Sequence, residues 1–156
     1  MQHVSHIGPP ADLEDDKKRW LVVGICLHSI LSPSLRRFED NVVNNFYNAL
    51  KLSDQIDIQT HSRHLRKYGV VNFELNYETI NNNKFTYGYQ KVRYDYKVQN
   101  GVDMSKLFLQ THIANYIAFD DSCDSSALLG FIVNIDKFPV NVQTAARDVG
   151  TFKYCY

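Results

Sequence analysis

Two segments of the chain carry apolar residues at spacings of three and four, and this periodicity restricts the fold more than any other feature. The first segment follows Ser32-Pro33, where serine is a common N-cap and proline suits the first helical position. The second follows Asp103, which we expect to cap a helix that extends to Ile117. The predicted inward faces are Leu35, Phe38, Val42, Phe46 and Ala49 in the first helix, and Met104, Leu107, Phe108, Thr111 and Ala114 in the second.

Three more helices are predicted around these two. Residues 17–31 are apolar nearly all round, which is typical of a helix at the centre of a bundle. The next helix is preceded by acidic residues, which suit a helix N-terminus. The last helix is predicted to begin at Pro139 and to end at Gly150. These acidic residues are Asp120, Asp121 and Asp124. The predicted inward residues of the two helices are Leu128, Phe131, Ile132 and Ile135, and Val140, Val142, Ala146 and Val149.

The middle of the chain allows more than one structure. Ile56, Thr60, Leu65 and Tyr68 fit a short helix that ends near Gly69, and Phe73, Tyr77 and Ile80 fit another that ends at residues 81–83. Residues 84–96 alternate aromatic and polar side chains, which favours either a β-hairpin near Gly88 or Gln90 or an irregular loop.

The predicted fold class is therefore all-α. We expect an antiparallel bundle of four to five helices with an irregular or hairpin-containing insertion around 69–100. Residues 1–16 are predicted to be a flexible acidic tail, residues 17–150 the bundle and residues 151–156 a short C-terminal tail. A chain of 156 residues fits one domain.

Composition excludes several general classes of function. Lys and Arg balance Asp and Glu at 17 each, so overall charge gives no argument for nucleic acid or an anionic membrane. The apolar run from Trp20 to Leu27 is much shorter than the ~20 residues of a membrane span. Three cysteines are too few and too sparse for a disulfide framework. We expect a cytoplasmic protein, with the nucleus as the alternative compartment, and no membrane partner.

The clusters that could carry chemistry have simpler structural interpretations. Asp120, Asp121 and Asp124 with Cys123 could hold a metal or transfer protons, but helix capping explains the same residues. His61 and His64 could ligate a metal from one helix face, but no third His or Cys lies near them. A thiol nucleophile could pair Cys26 with His28 or Cys123 with His112, without a supporting motif. We expect no catalytic residues, no metal and no cofactor.

Basic residues interleave with tyrosines between residues 60 and 97. Rings and cations together can bind single-stranded nucleic acid, although the same residues can cover a small core. The candidate nucleic-acid contacts are Arg63, Arg66, Lys67, Lys84, Lys91 and Arg93.

Four segments of the chain together point to a known family. They are W-L-V-V-G-I-C-L-H-S at 20–29, L-N-Y-E-T-I-N-N-N at 75–83, D-M-S-K-L-F-L-Q-T-H at 103–112 and C-D-S-S-A-L-L-G at 123–130. With these segments the chain resembles a HEPN-type domain, in the version related to the DAZ-interacting zinc-finger ubiquitin ligase that is common in invertebrate proteins. The resemblance covers roughly residues 18–146 and implies an all-α bundle, often dimeric. Active members of the family are metal-independent ribonucleases with an Arg, four to six residues and then a His late in the domain.

The chain departs from the family at that motif. No His follows any Arg at this distance, and the nine residues after Arg147 contain none. We therefore expect a non-catalytic HEPN-like interaction domain, not an enzyme, whose partner is another protein or a second copy. We expect its ending at 151–156 to be a truncation of the family's terminal helix. The alternatives are an RNA-binding or ribonuclease-derived domain, and an unrelated helical adaptor or non-functional fragment.

Overall fold

A computed structural model describes residues 15–26, 32–60, 62–81 and 95–154. Helix accounts for 57% of them, which confirms the all-α class. The described helices are α1 (Asp15–Ile25), α2 (Ser32–Asp54), α3 (Glu78–Asn81), α4 (Gly101–Lys106), α5 (Ser125–Asn134), α6 (Val140–Tyr154) and a 3₁₀ helix at Thr111–Ile113. The described strands, β1 (Lys67–Tyr68) and β2 (Phe73–Glu74), form one antiparallel pair. The antiparallel order of the helices stays a prediction.

The core lies where α2 packs against α4 and α5, and α6 packs against α5. Phe108 stands at its centre with 1% of its surface exposed. Its ring is stacked 5.4 Å from that of Phe73 and lies 6.0 Å from Phe46 and 6.1 Å from Tyr68. The short hairpin is thus fastened to the helices by aromatic contacts, which add to the free energy of apolar burial.

Helix α2 begins at Ser32 as predicted, but its predicted buried stripe is wrong. Phe46 is buried, whereas Phe38 is 41% exposed, Ala49 is exposed, and Leu35 and Val42 are only partly buried. The buried face is turned by about one residue, or ~100°, and comprises Ser32, Arg36, Glu39, Val43, Phe46, Tyr47 and Leu50. The apolar periodicity of a sequence identifies a buried face only where that face is apolar, and the buried face of α2 includes Arg36 and Glu39.

Helix α1 differs from the predicted central helix. It begins at Asp15, so Asp15 and Asp16 belong to a helix and not to the predicted tail. Leu21 and Val22 are 56% and 58% exposed, which places this part of the helix at the surface. Residues 1–14 and 27–31 lie outside the described residues. The prediction of burial all round is therefore wrong for the part that can be compared.

The middle of the chain is less helical than predicted. The helix expected before Gly69 is replaced by turns and by β1, and the second predicted helix is only the single turn α3. Phe73 belongs to β2, where its ring reaches Phe108. A hairpin does exist within the predicted insertion, at 67–74. The predicted hairpin at 84–96 lies almost wholly outside the described residues.

Helix α4 is shorter than predicted and has a different cap. Asn100 is its N-cap and accepts a hydrogen bond from the backbone N–H of Asp103. The Asp103 carboxylate accepts in return from the backbone N–H of Gln99 at 3.0 Å. The helix ends at Lys106 instead of continuing to Ile117. Met104, Leu107, Phe108 and Ala114 are nevertheless buried as predicted, and Thr111 is partly buried.

The last two helices follow the sequence prediction more closely. Asp124 caps α5 by accepting from the backbone N–H of Ala127 at 2.9 Å, and the four predicted inward residues of this helix are buried. Helix α6 begins after Pro139 and buries Ala146, but Val140 is 76% exposed. The predicted end at Gly150 is wrong, because the helix continues to Tyr154.

Candidate functional site

A groove with a volume of about 560 Å³ opens between β2, the segment after α4 and the side of α5. Its apolar lining consists of Phe73, Leu107, Phe108, Leu109 and Ile113. Its polar lining consists of Glu74, Asn76, Gln110, His112 and Asn134. An apolar floor with a few polar groups at the rim is typical of a binding site.

Two asparagines hold the backbone that forms the groove floor. The side-chain amide of Asn134 donates to the carbonyl of Phe108 at 2.8 Å. Asn76 donates from its side chain to the carbonyl of Leu109 at 3.1 Å and from its backbone to that of Leu107 at 2.8 Å. Three consecutive carbonyls after α4 therefore find partners outside the helix, which explains why α4 ends there.

Gly130 allows α5 to approach this floor closely. A Cβ atom at this position would lie 2.7 Å from the Cδ2 atom of Leu109 and 3.6 Å from the Cδ1 atom of Ile113. A larger residue would have to displace the Leu109 side chain, which lines the groove. The glycine thus sets the distance between the helix and the groove floor.

The rim carries Glu74, Gln110 and His112, whose side chains are exposed. The sequence suggests His112 as a possible base for Cys123. The structure places it instead at the edge of an apolar groove. Gly130 and Asn76, which position the floor, lie within two of the segments that carry the family resemblance, at 123–130 and 75–83.

The candidate nucleic-acid residues are only partly described. Arg63, Arg66 and Lys67 have exposed side chains on β1 and the loop before it. Lys84, Lys91 and Arg93 lie outside the described residues. The structure thus places three of the six basic residues in one segment, residues 63–67.

The sequence analysis missed two ionisable residues that are buried on α2, Arg36 and Glu39. Arg36 donates to Asp121 at 2.8 Å and to the carbonyl of Cys123 at 3.0 Å. Glu39 is 0% exposed, and neither of its carboxyl oxygens has a hydrogen-bond partner among the described residues. Burial raises the pKa of Glu39 to about 8 against the opposing charge of Arg36. Two opposite charges three positions apart were the only signal in the sequence, and this spacing is common on helix surfaces.

Two of the three cysteines and the whole acidic cluster lie among the described residues. Cys26 and Cys123 are free thiols. Burial raises the pKa of the Cys123 thiol to about 12, which opposes formation of a thiolate nucleophile. Asp124 is the predicted helix cap, and Asp120 accepts from both the backbone N–H and the hydroxyl of Ser122.

The described residues provide no metal site and no membrane span. No group of three His, Cys, Asp or Glu side chains among them could hold a metal ion. His64 packs edge-on against the Tyr77 ring, with 4.6 Å between ring centroids, while His61 lies outside the described residues. No helix in the described ranges is long and apolar enough to cross a membrane.

No protein-family model, no curated protein and no solved structure matches this chain.

Proposed function

We propose that the chain is a non-catalytic, HEPN-like helical interaction domain that binds a protein partner or a second copy through the groove. The observation that carries this proposal is the groove itself. Its apolar floor is fixed by the amides of Asn76 and Asn134, and exposed polar residues surround it. A preformed floor needs little ordering when a partner binds, so less affinity is lost.

The sequence supports a binding function without cleavage. General acid–base cleavage of RNA needs a group that titrates near neutral pH beside the reacting oxygen, most often His. His112 is an exposed histidine at the rim, but no Arg precedes it at the spacing of the family's ribonuclease motif. The free thiols of Cys26 and Cys123 support a reducing compartment, so we propose a cytoplasmic or nuclear location.

Two acidic substitutions at the rim test the proposal. Gln110→Glu together with His112→Glu places two carboxylates beside Glu74 without altering the buried core. The matched control, Asn141→Glu with Ala145→Glu, adds the same charge at exposed positions of α6. Tagged proteins are expressed in the native cells, and co-purified proteins are quantified by mass spectrometry.

We expect the wild type and the control to retain the same partner, or the same second copy, and the rim variant to lose it. The proposal is wrong if the three proteins retain identical sets. Metal-independent cleavage of single-stranded RNA that His112→Ala abolishes would overturn the non-catalytic assignment.

RNA binding is the second candidate, favoured by the exposed side chains of Arg63, Arg66 and Lys67 on β1 and the loop before it. Contacts from these residues to phosphates would release counterions, so affinity would fall steeply with salt. Labelled single-stranded RNA titrated with purified protein at two salt concentrations tests this. Absence of binding at low salt removes this candidate.

A further inference from the structure

The hairpin between β1 and β2 exposes two adjacent valines at its tip. Val70 is 98% exposed and Val71 is 85% exposed. Both lie in the turn from Gly69 to Asn72, which is closed by a hydrogen bond of 3.1 Å from the Asn72 N–H to the Gly69 carbonyl. The tip is therefore a compact turn with two apolar side chains in solvent.

The turn itself does not explain the valines. Tight turns favour Gly, Asn, Asp, Ser and Pro, and β-branched residues are disfavoured because they prefer extended backbone. Gly69 and Asn72 supply the left-handed conformations of this turn, with φ values of +78° and +51°. Two small polar residues at positions 70 and 71 would form the same turn. Because the two valines go against this preference, we infer that they serve a contact outside the turn.

The strands below the tip are held firmly. Tyr68 lies 5.0 Å from Phe46, and Phe73 is stacked 5.4 Å from Phe108, between ring centroids. Lys137 places its ammonium 5.9 Å from the centre of the Tyr68 ring. Both ends of the turn are thus anchored, and the valines are displayed without a large ordering cost on binding.

Charges around the tip indicate the chemistry of its partner. Arg63, Arg66 and Lys67 are exposed in the segment that leads to the turn. Two carboxylates also lie close. Glu74 is opposite Lys67 in the hairpin, and the Asp136 carboxylate, which pairs with Lys137 at 3.7 Å, lies 3.5 Å from where a Cβ atom at Gly69 would stand. An anionic bilayer would bring its negative charge against the exposed Glu74 as well as against the cations, and valine has no ring to stack on a nucleic-acid base. A protein partner can place its carboxylates next to these cations and keep them away from Glu74 and Asp136.

We propose that this tip is a second docking site, separate from the groove, and that its partner is an acidic protein segment with apolar residues. The apolar side chains of that segment cover Val70 and Val71. Its carboxylates pair with Arg66 and Lys67 at the edge of the contact, where charges govern specificity and association rate.

Selection of random displayed peptides on the purified full chain tests the proposal. Wild type is expected to enrich peptides that combine apolar residues with Asp or Glu. Val70→Ser with Val71→Ser should weaken the enriched peptides by roughly 30-fold, since both apolar contacts are lost. Leu52→Ser is the matched control, because Leu52 is 88% exposed at the end of α2, and it should bind like the wild type.

A charge reversal tests the second element of the surface. Arg66→Glu with Lys67→Glu should lose the acidic peptides, while the exposed control Arg37→Glu with Lys97→Glu should keep them. The proposal fails if acidic apolar peptides are not enriched, or if they bind the valine variant as tightly as the wild type. The wild type could instead bind vesicles of phosphatidylserine and phosphatidylcholine, with the valine variant failing to bind. That result would show that the tip binds lipid and would overturn the proposal. RNA binding that needs Arg66 and Lys67 but not the valines, without peptide binding, would also overturn it.

Discussion

Replacing Glu39 with glutamine should remove a large pH dependence from the stability of the protein. Glu39 is fully buried on α2, and its carboxyl oxygens have no hydrogen-bond partner among the described residues. Its neighbour Arg36 already donates to Asp121 and to the Cys123 carbonyl. Burial thus disfavours the ionised form more than Arg36 favours it, which raises the pKa of Glu39 from 4.5 to about 8.

The sign and size of the effect follow from this pKa. The unfolded chain releases the Glu39 proton near pH 4.5, whereas the folded chain retains it until about pH 8. Stability from this group is therefore complete below pH 4.5 and is lost as the pH rises from 4.5 through 8. The pKa of about 8 in the folded chain exceeds the value of 4.5 by about 3.5 units. Because each pKa unit corresponds to about 1.4 kcal/mol, the loss is on the order of 5 kcal/mol.

Urea unfolding at several pH values between 5 and 9, followed by far-ultraviolet circular dichroism, measures the effect. The free energy of unfolding of the wild type should fall more steeply with pH than that of Glu39→Gln, whose amide cannot ionise. Glu74→Gln is the control, since Glu74 is exposed, and it should keep the wild-type slope. Equal slopes for wild type and Glu39→Gln would refute the reasoning.

Three further predictions follow from single contacts. Asp124→Ala removes the cap of α5 and should lower the free energy of unfolding by about 1 kcal/mol in urea titrations, whereas Asp124→Asn should recover most of it; no loss in the alanine variant would contradict the capping role. Phe108→Ala should cost about 3–5 kcal/mol, because it leaves a cavity among three aromatic rings, and a cost below ~1 kcal/mol would place Phe108 outside the core. In the native protein, an alkylating reagent followed by peptide mapping should label the partly exposed Cys26 and spare Cys123, which is 0% exposed; rapid labelling of Cys123 would show that its site opens.

Local signals in the sequence predicted where three of the described helices start. Ser32-Pro33 marks the start of α2, Asp124 caps α5, and Pro139 immediately precedes α6. Each of these features acts within one helical turn, so neighbouring residues suffice to identify it. Gly150 was misleading because glycine costs only about 1 kcal/mol inside a helix and ends one only where the backbone turns left-handed.

Features set by distant residues could not be predicted. The buried face of α2 depends on the bonds from Arg36 to Asp121 and Cys123, which lie 85 and 87 positions later. The end of α4 depends on amides from Asn76 and Asn134, which belong to other elements. The groove is formed by the same long-range contacts, so the sequence supplied its residues but not their arrangement.

The most direct test of the interaction function is a photoreactive amino acid placed at Gln110 on the groove rim of the full chain. The control carries the same photoreactive amino acid at Asn141, an exposed position of α6 outside the groove. After irradiation in the native cells, the Gln110 position should form a discrete covalent adduct with one protein, identified by mass spectrometry, and the Asn141 position should not. Absence of an adduct at Gln110, or the same adduct at both positions, would contradict binding through the groove.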